Sequence, residues 1–334
     1  MSNGDGKSRH KAAIIGCGPI AGGYDRFSDG KWTSTHAGAY RLCPRTELLA
    51  AVDIDRQALS AFAKRWCVER TYSDYREMLD RERPDIVSVC LPTEGHHDAF
   101  QACCAAGARA IFLEKPVATS IEEAVEMPAL ASGRLVAVNY FRRWNPSLQK
   151  LKEELESGEL GRPIRVIVHY VKGLVGNASH YVDLLRWFFG EPEGVRALRA
   201  FERPGEEPAA DFEMAFPEGL VATFLHLPEP GYVFLEVDLF TESGRVVLAQ
   251  RAQQIFRFPL VEEPHFRRFS IVDHSAEAVE TQWRDCTFRA VEELIDCLEE
   301  GGGRPACSLE DGIRALAICR TIKTAAPSTD WITV

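Results

Sequence analysis

The sequence predicts an α/β chain in two halves: a doubly wound parallel sheet, then an α+β half built on an open, mainly antiparallel sheet. Three observations carry this. From residue 10 to about 140, short apolar runs alternate with stretches of helical spacing, the pattern of βαβ units. The first of those runs ends in a glycine-rich turn, Gly16-Cys17-Gly18-Pro19-Ile20-Ala21. Beyond about residue 145, apolar runs follow one another across turns such as FPEGL and TESGR, which suits hairpins. The join falls near residues 135–145, so the first domain is expected over 1–140 and the second over 141–334.

In chain order, KAAIIGCG, TELLAAVD, DIVSVCLP and ARAIFLEKP read as strands, apolar on both faces as a sheet covered by helices requires. RQALSAFAKRW and HDAFQACCAAG have helical spacing, and SDYREMLD begins a helix with Ser73 as its expected N-cap. In the second half, PSLQKLKEELESGEL is an amphipathic helix stopped by Gly161 and Pro163, followed by the strand RPIRVIVHYV and the helix SHYVDLLRWFF. GVRALRAF, ADFEMAF, LVATFLHL, YVFLEVDLF and GRVVLAQ read as strands, and WRDCTFRAVEELIDCLEEGG and SLEDGIRALAICRTIKTA return to helix.

A chain of 334 residues accommodates about two domains, and 46% hydrophobic with 26% charged residues is an ordinary globular composition. With 39 basic and 49 acidic residues the net charge is −10, so no broad basic surface is expected for a nucleic acid. No stretch reaches the ~20 apolar residues of a membrane span. The segment MSNGDGKSRHK runs into the first strand without a cleavage site, so no signal peptide and a cytoplasmic location are expected. The ten cysteines lack Cys-x-x-Cys spacing and sit mostly in apolar runs, which reads as buried thiols rather than disulfides or metal ligands. His96 and His97 are adjacent, point in different directions and have no third ligand nearby, so no metal is expected.

The turn after the first strand matches the G-x-G-x-x-G/A pattern. Gly16 allows the tight turn, Gly18 lets the backbone approach a pyrophosphate, and Ala21 permits close packing of helix on strand. Asp53, closing the second strand, is placed to accept the adenosine ribose hydroxyls. A carboxylate there repels a 2′-phosphate, which favours NAD(H) over NADP(H). The alternative for Asp53 is a cap on the helix starting near Arg56. Residues 23–35 form a polar, aromatic insertion containing Lys31 and Trp32, either a cover for a ligand or a tolerated surface loop. On the same edge, Glu114-Lys115-Pro116 ends a strand. A lysine beside a nicotinamide can exchange a proton with a substrate oxygen, and the plainer alternative is a surface ion pair.

Together these residues resemble the glucose-fructose oxidoreductase and inositol dehydrogenase family (Gfo/Idh/MocA). GCGPIA, Asp53, PTEGH over residues 92–96, EKP over 114–116, NYFRRWNP over 139–146, SHYVDLLRWFFG and the closing helices occur in the family's order. The resemblance implies a Rossmann domain, a nicotinamide cofactor, a sugar-type substrate (sugar nucleotide, sugar phosphate or cyclitol), and a homodimer or homotetramer. By position, Lys115 resembles the catalytic lysine and His180 the histidine at the reacting oxygen. Pro92, Thr93, His96 and Glu114 resemble the surroundings of the nicotinamide, with Gly16, Gly18, Pro19, Ile20, Ala21 and Asp53 under the rest of the cofactor. Tyr140, Arg143, Asn177 and Asp183 fall on the substrate side, and Arg143 and Lys31 are candidates to meet a phosphate. Many members carry an acid four residues before the histidine, where this chain has Gly176. Lys115 is therefore expected as the principal acid/base, with His180 assisting alone. The rival expectations are a non-catalytic NAD(H)-binding sensor or subunit, and redox-assisted elimination or hydrolysis with the cofactor regenerated.

Overall fold

The computed structural model describes residues 9–27, 32–202, 204–228, 231–273, 275 and 278–334. The chain divides into two compact units, Met1–Trp144 with Arg284–Ile313, and Asn145–Trp283 with Arg314–Val334.

In the first unit, β1 (His10–Ile15), β2 (Thr46–Val52), β3 (Arg70–Tyr72), β4 (Ile86–Val89), β5 (Ala110–Leu113) and β6 (Leu135–Val138) form one parallel sheet in the order β3-β2-β1-β4-β5-β6. Between them run α1 (His36–Leu42), α2 (Arg56–Trp66), α3 (Tyr75–Glu82), α4 (His96–Ala105) and α5 (Ile121–Ala131). The strand order reverses between β1 and β4, and at such a point the carboxyl ends of the strands leave a crevice for a ligand. One cap differs from expectation. Helix α3 starts at Tyr75, so Asp74 stands in the cap position and accepts the Arg76 N–H at 2.8 Å, while Ser73 is one residue too early. Asp55 caps α2, accepting from Gln57 and Ala58, which frees Asp53 from that role.

The second unit contains α6 (Pro146–Glu156), β7 (Pro163–Tyr170), α7 (Ser179–Phe189), β8 (Gly194–Phe201), β9 (Ala209–Ala215), β10 (Val221–His226), β11 (Leu235–Thr241), β12 (Gly244–Ala249), β13 (Gln254–Glu262), β14 (Ser270–Val272) and β15 (Ala278–Glu280). The sheet order is β14-β13-β12-β11-β7-β10-β9-β8, with β15 against β13. Among the described residues every pairing is antiparallel except β7 with β10. Helix α7 buries Tyr181, Val182 and Leu185 in one core with Val168, Tyr170, Phe212 and Phe224 of the sheet. Helix α6 ends at Glu156, a full turn before Gly161.

The chain closes with α8 (Cys286–Glu299) and α9 (Leu309–Thr324). Helix α8 belongs to the first unit. The Trp144 indole N–H donates to Glu293 at 2.7 Å, Arg45 pairs with Asp296 at 2.6 Å, and Val291, Leu294 and Ile295 are buried. The ten cysteines are free thiols, and all but Cys67 are buried. Among the described residues no helix is long and apolar enough to cross a membrane.

Candidate active site

The carboxyl edge of the first sheet gathers the cofactor candidates. After β1 the chain turns at Gly16 with φ +91°, and a Cβ there would lie 2.8 Å from the Cys90 carbonyl oxygen, so both conformation and space require glycine. At Gly18 a Cβ would meet nothing within 4 Å. The loop is open on the side from which a pyrophosphate approaches a glycine turn. Pro19 and Ile20 open the short helical turn Pro19–Gly23, and Ala21 in it is fully buried. Asp53 faces this loop: Oδ2 accepts the Cys17 N–H at 2.7 Å and Oδ1 the Asp55 N–H at 2.8 Å. Each carboxylate oxygen has further acceptor capacity, so the edge fits an adenosine ribose. Burial, and secondarily Asp53, push the Cys17 thiol up to about 12, so it remains protonated and is no nucleophile.

On the next two strands, β4 leads into Pro92, Thr93 and His96, and β5 into Glu114 and Lys115, whose bond to Pro116 is cis. His96 is buried, with its ring nitrogens 2.8 Å from the Leu91 carbonyl and 2.7 Å from that of Pro116. It braces the loop after β4 against the loop after β5. Pro92 is exposed and Thr93 and Lys115 are half-buried.

Beneath Lys115 lies a polar network that the sequence reading missed. Glu114 Oε1 is 3.0 Å from His36 Nε2 and 2.6 Å from Asn139 Nδ2, and Oε2 accepts the Lys115 N–H at 3.3 Å. On its other side, His36 Nδ1 is 2.8 Å from Ser88 Oγ, which is 2.7 Å from the Tyr40 hydroxyl. A carboxylate oxygen only accepts, so Nε2–H donates to Glu114. Nδ1 meets Ser88 Oγ, which in turn shares a hydrogen bond with the Tyr40 hydroxyl. Burial pushes the Tyr40 phenol up, which keeps it a donor. The available sequence signal was polarity interrupting apolar runs, Ser88 within IVSV and His36 within HAGAY, because a buried polar group requires a partner.

Burial raises the Glu114 carboxyl, but the hydrogen bond and charge of His36, the Asn139 amide and the Lys115 charge together bring it below its ordinary value of 4.5. A carboxyl depressed in the folded state adds stability that is complete above the unfolded value and lost as pH falls through the folded one. Below about pH 4.3, the thermal midpoint of the unaltered protein is therefore expected to fall more steeply with pH than that of Glu114→Gln. Parallel curves would remove Glu114 as a source of the slope.

Further along the edge, Tyr140 is buried, and Arg143 donates to the Ala306 carbonyl at 2.9 Å and pairs with Asp311 at 3.3 Å. Arg143, only 4% exposed as a residue, is held by partners inside the unit and ties residues 140–144 to the start of α9. The described ends of the insertion are pinned by buried Asp25, which accepts from the hydroxyls of Thr33 and Thr35 and from the Ser34 N–H at 2.9 Å. Trp32 lies under the Arg284 guanidinium at 5.2 Å. Lys31 and the tip around it lie outside the described residues.

In the second unit, His180 is half-buried in the first turn of α7. Asp183 is buried 3.6 Å from Arg186, which also grips Glu191, so Asp183 belongs to an internal ion-pair cluster. The Asn177 amide donates to the Val171 carbonyl at 2.7 Å and closes the turn between β7 and α7. A cavity of about 530 Å³ opens beside this turn, bordered by Lys172, Phe201, Glu207, His226 and Tyr232. Among the described residues no group of three or more His, Cys, Asp or Glu is placed to hold a metal.

Residues 10–140 match the family described as an oxidoreductase family with an NAD-binding Rossmann fold. The chain is 30% identical over 252 residues to the uncharacterized oxidoreductase YrbE of Bacillus subtilis, covering 67% of this chain and 74% of that protein. It is 27% identical over 245 residues to inositol 2-dehydrogenase 2 of Saccharopolyspora erythraea, covering 69% of this chain and spanning 66% of that protein's length. Among solved structures, levoglucosan dehydrogenase in complex with NADH and levoglucosan superposes with a TM-score of 0.78 at 18% identity, covering 98% of this chain and 100% of the other. At that identity the likeness is one of fold.

Proposed function

Because the chain belongs to the Gfo/Idh/MocA oxidoreductase family, we propose that it is an NAD(H)-dependent dehydrogenase of a sugar-type alcohol or ketone. One observation carries the reading: the open glycine loop with Asp53, and Lys115 above its Glu114 network, lie on the same carboxyl edge of one sheet. When bound, NAD supplies the hydride acceptor. The Gly16–Gly18 backbone receives the pyrophosphate, and Asp53 accepts the ribose hydroxyls. In oxidation the Lys115 amine takes the proton of the substrate hydroxyl, and in reduction it returns it. His180 hydrogen-bonds the same oxygen, a role carried over from the resemblance. The inositol 2-dehydrogenase relatives and the levoglucosan dehydrogenase fold support a cyclitol or sugar, free or as its phosphate or nucleotide. A cytoplasmic homodimer or homotetramer is the proposed form.

The test is a panel of cyclitols, sugars, sugar phosphates and sugar nucleotides with NAD⁺ or NADP⁺, read by absorbance of the reduced nicotinamide. Turnover is expected with NAD⁺ at a kcat/KM at least about tenfold above NADP⁺, since a charged hydrogen bond contributes roughly 1.5–3 kcal/mol. Asp53→Ser should erase most of that ratio. NADH binding without turnover on any member would overturn the reading in favour of a sensor.

A further inference from the structure

We infer that Glu207 is a positioning residue for His180, its carboxylate reaching in from the segment before β9 to hold the turn from which α7 starts. The inference rests on the proposed role of His180. Glu207 Oε1 accepts the Val175 N–H at 2.6 Å and the Gly176 N–H at 2.9 Å, and Oε2 is 3.0 Å from the same Gly176 nitrogen. Two successive backbone donors converging on one carboxylate form a nest for an anion. Next to it the Leu174 N–H donates to the Pro208 carbonyl at 3.0 Å, so residues 207–208 lie along the turn rather than touching it at one point.

The glycines explain what the turn is built for. A Cβ at Gly173 would stand 2.2 Å from the Glu207 carboxyl carbon, and a Cβ at Gly176 would stand 2.6 Å from its Oε2. Neither glycine has a left-handed backbone, and Gly173 has φ −89°. Space for the carboxylate, not backbone freedom, is what these glycines provide. The turn Leu174–Ala178 runs directly into Ser179 of α7, and residues four apart on a helical turn share a face. The carboxylate is thereby seated against position 176, four residues before His180 in the turn that leads into α7.

Sequence alone left His180 assisting without an acid, because position 176 is glycine. In the structure a carboxylate reaches the turn itself, from 31 residues away. Glu207 also borders the 530 Å³ cavity beside the turn, so the group that sets the His180 turn also faces the space next to it.

The experiment moves the carboxylate. With the alcohol that turns over fastest in the panel, Glu207→Ala is expected to lower kcat about tenfold or more, as small misplacements of a reacting group do. NADH affinity should stay within threefold. Gly176→Asp alone should be impaired, because its side chain meets Glu207. In the double variant Glu207→Ala/Gly176→Asp the new carboxylate enters the vacated space, and kcat should return to within threefold of the unaltered enzyme. A merely structural role for Glu207 predicts no such rescue. The inference is overturned if Glu207→Ala keeps kcat within twofold, or if the double variant is no faster than Glu207→Ala. Lys115→Ala, run in parallel, separates the two levels: full activity there refutes the proposed function, whereas loss there with an unaffected Glu207→Ala refutes only the role of Glu207.

Discussion

Replacing Lys115 by Ala is expected to lower turnover about a thousandfold, the middle of the range for a positioned acid/base and equivalent to about 4 kcal/mol of barrier. NADH affinity should stay within threefold, because the glycine loop and Asp53 are separate from the lysine. The backbone reason for a strong effect is the way Lys115 is held. It follows β5 directly, its N–H is received by Glu114, and His96 braces the loop that follows against the loop after β4. A side chain leaving so fixed a backbone has a restricted set of positions, and proximity is worth most when it is fixed in advance. Initial rates with the panel substrate, together with fluorescence titration of NADH, check the result. Turnover within tenfold of the unaltered enzyme would remove Lys115 from the chemistry.

Replacing His36 by Phe is expected to destabilise the first unit by about 3 kcal/mol, the lower end of the cost of stripping a buried charge of its partner. The aromatic ring can keep the contact that His36 makes with Phe112 at 4.4 Å, so the loss isolates the hydrogen bonds to Glu114 and Ser88. At roughly 2–4 °C per kcal/mol for a unit of this size, the thermal midpoint should drop by about 6–12 °C. The double variant His36→Phe/Glu114→Gln should recover part of that loss, since no unpaired charge is then left inside. Calorimetry of the three proteins decides the matter. A single variant within about 1 kcal/mol of the unaltered protein would mean that Asn139 and Lys115 suffice to hold the carboxylate.

Features set by a few adjacent residues are legible in the sequence. Helix α7 and strand β8 fall on the runs SHYVDLLRWFF and GVRALRAF, and the glycine loop and Asp53 meet although the insertion lengthens the chain between them. Misreadings of one residue or one turn, Ser73 for Asp74 and Gly161 for the end of α6, come from caps that depend on which residue first adopts helical angles. Strand β13, QIFRFPLVE, escaped notice because Pro259 and a largely half-exposed to exposed pattern hide its alternation. Arg143, a candidate to meet a phosphate, is held by Asp311 and the Ala306 carbonyl, partners far from it in the chain.

Sequence by itself determined the doubly wound first sheet, the open second one, the nucleotide loop and the lysine at the strand end. Each is written in periodicity or turn chemistry over a few adjacent residues. Only the tertiary structure decided what surrounds them: His36 with Ser88, Glu114 and Asn139, α8 within the first unit, and Glu207 against Gly176. Those partners are separated by dozens of residues. Their meeting is set by the order in which strands pair and by the need of each buried polar group for a partner, neither of which leaves a local pattern in the chain.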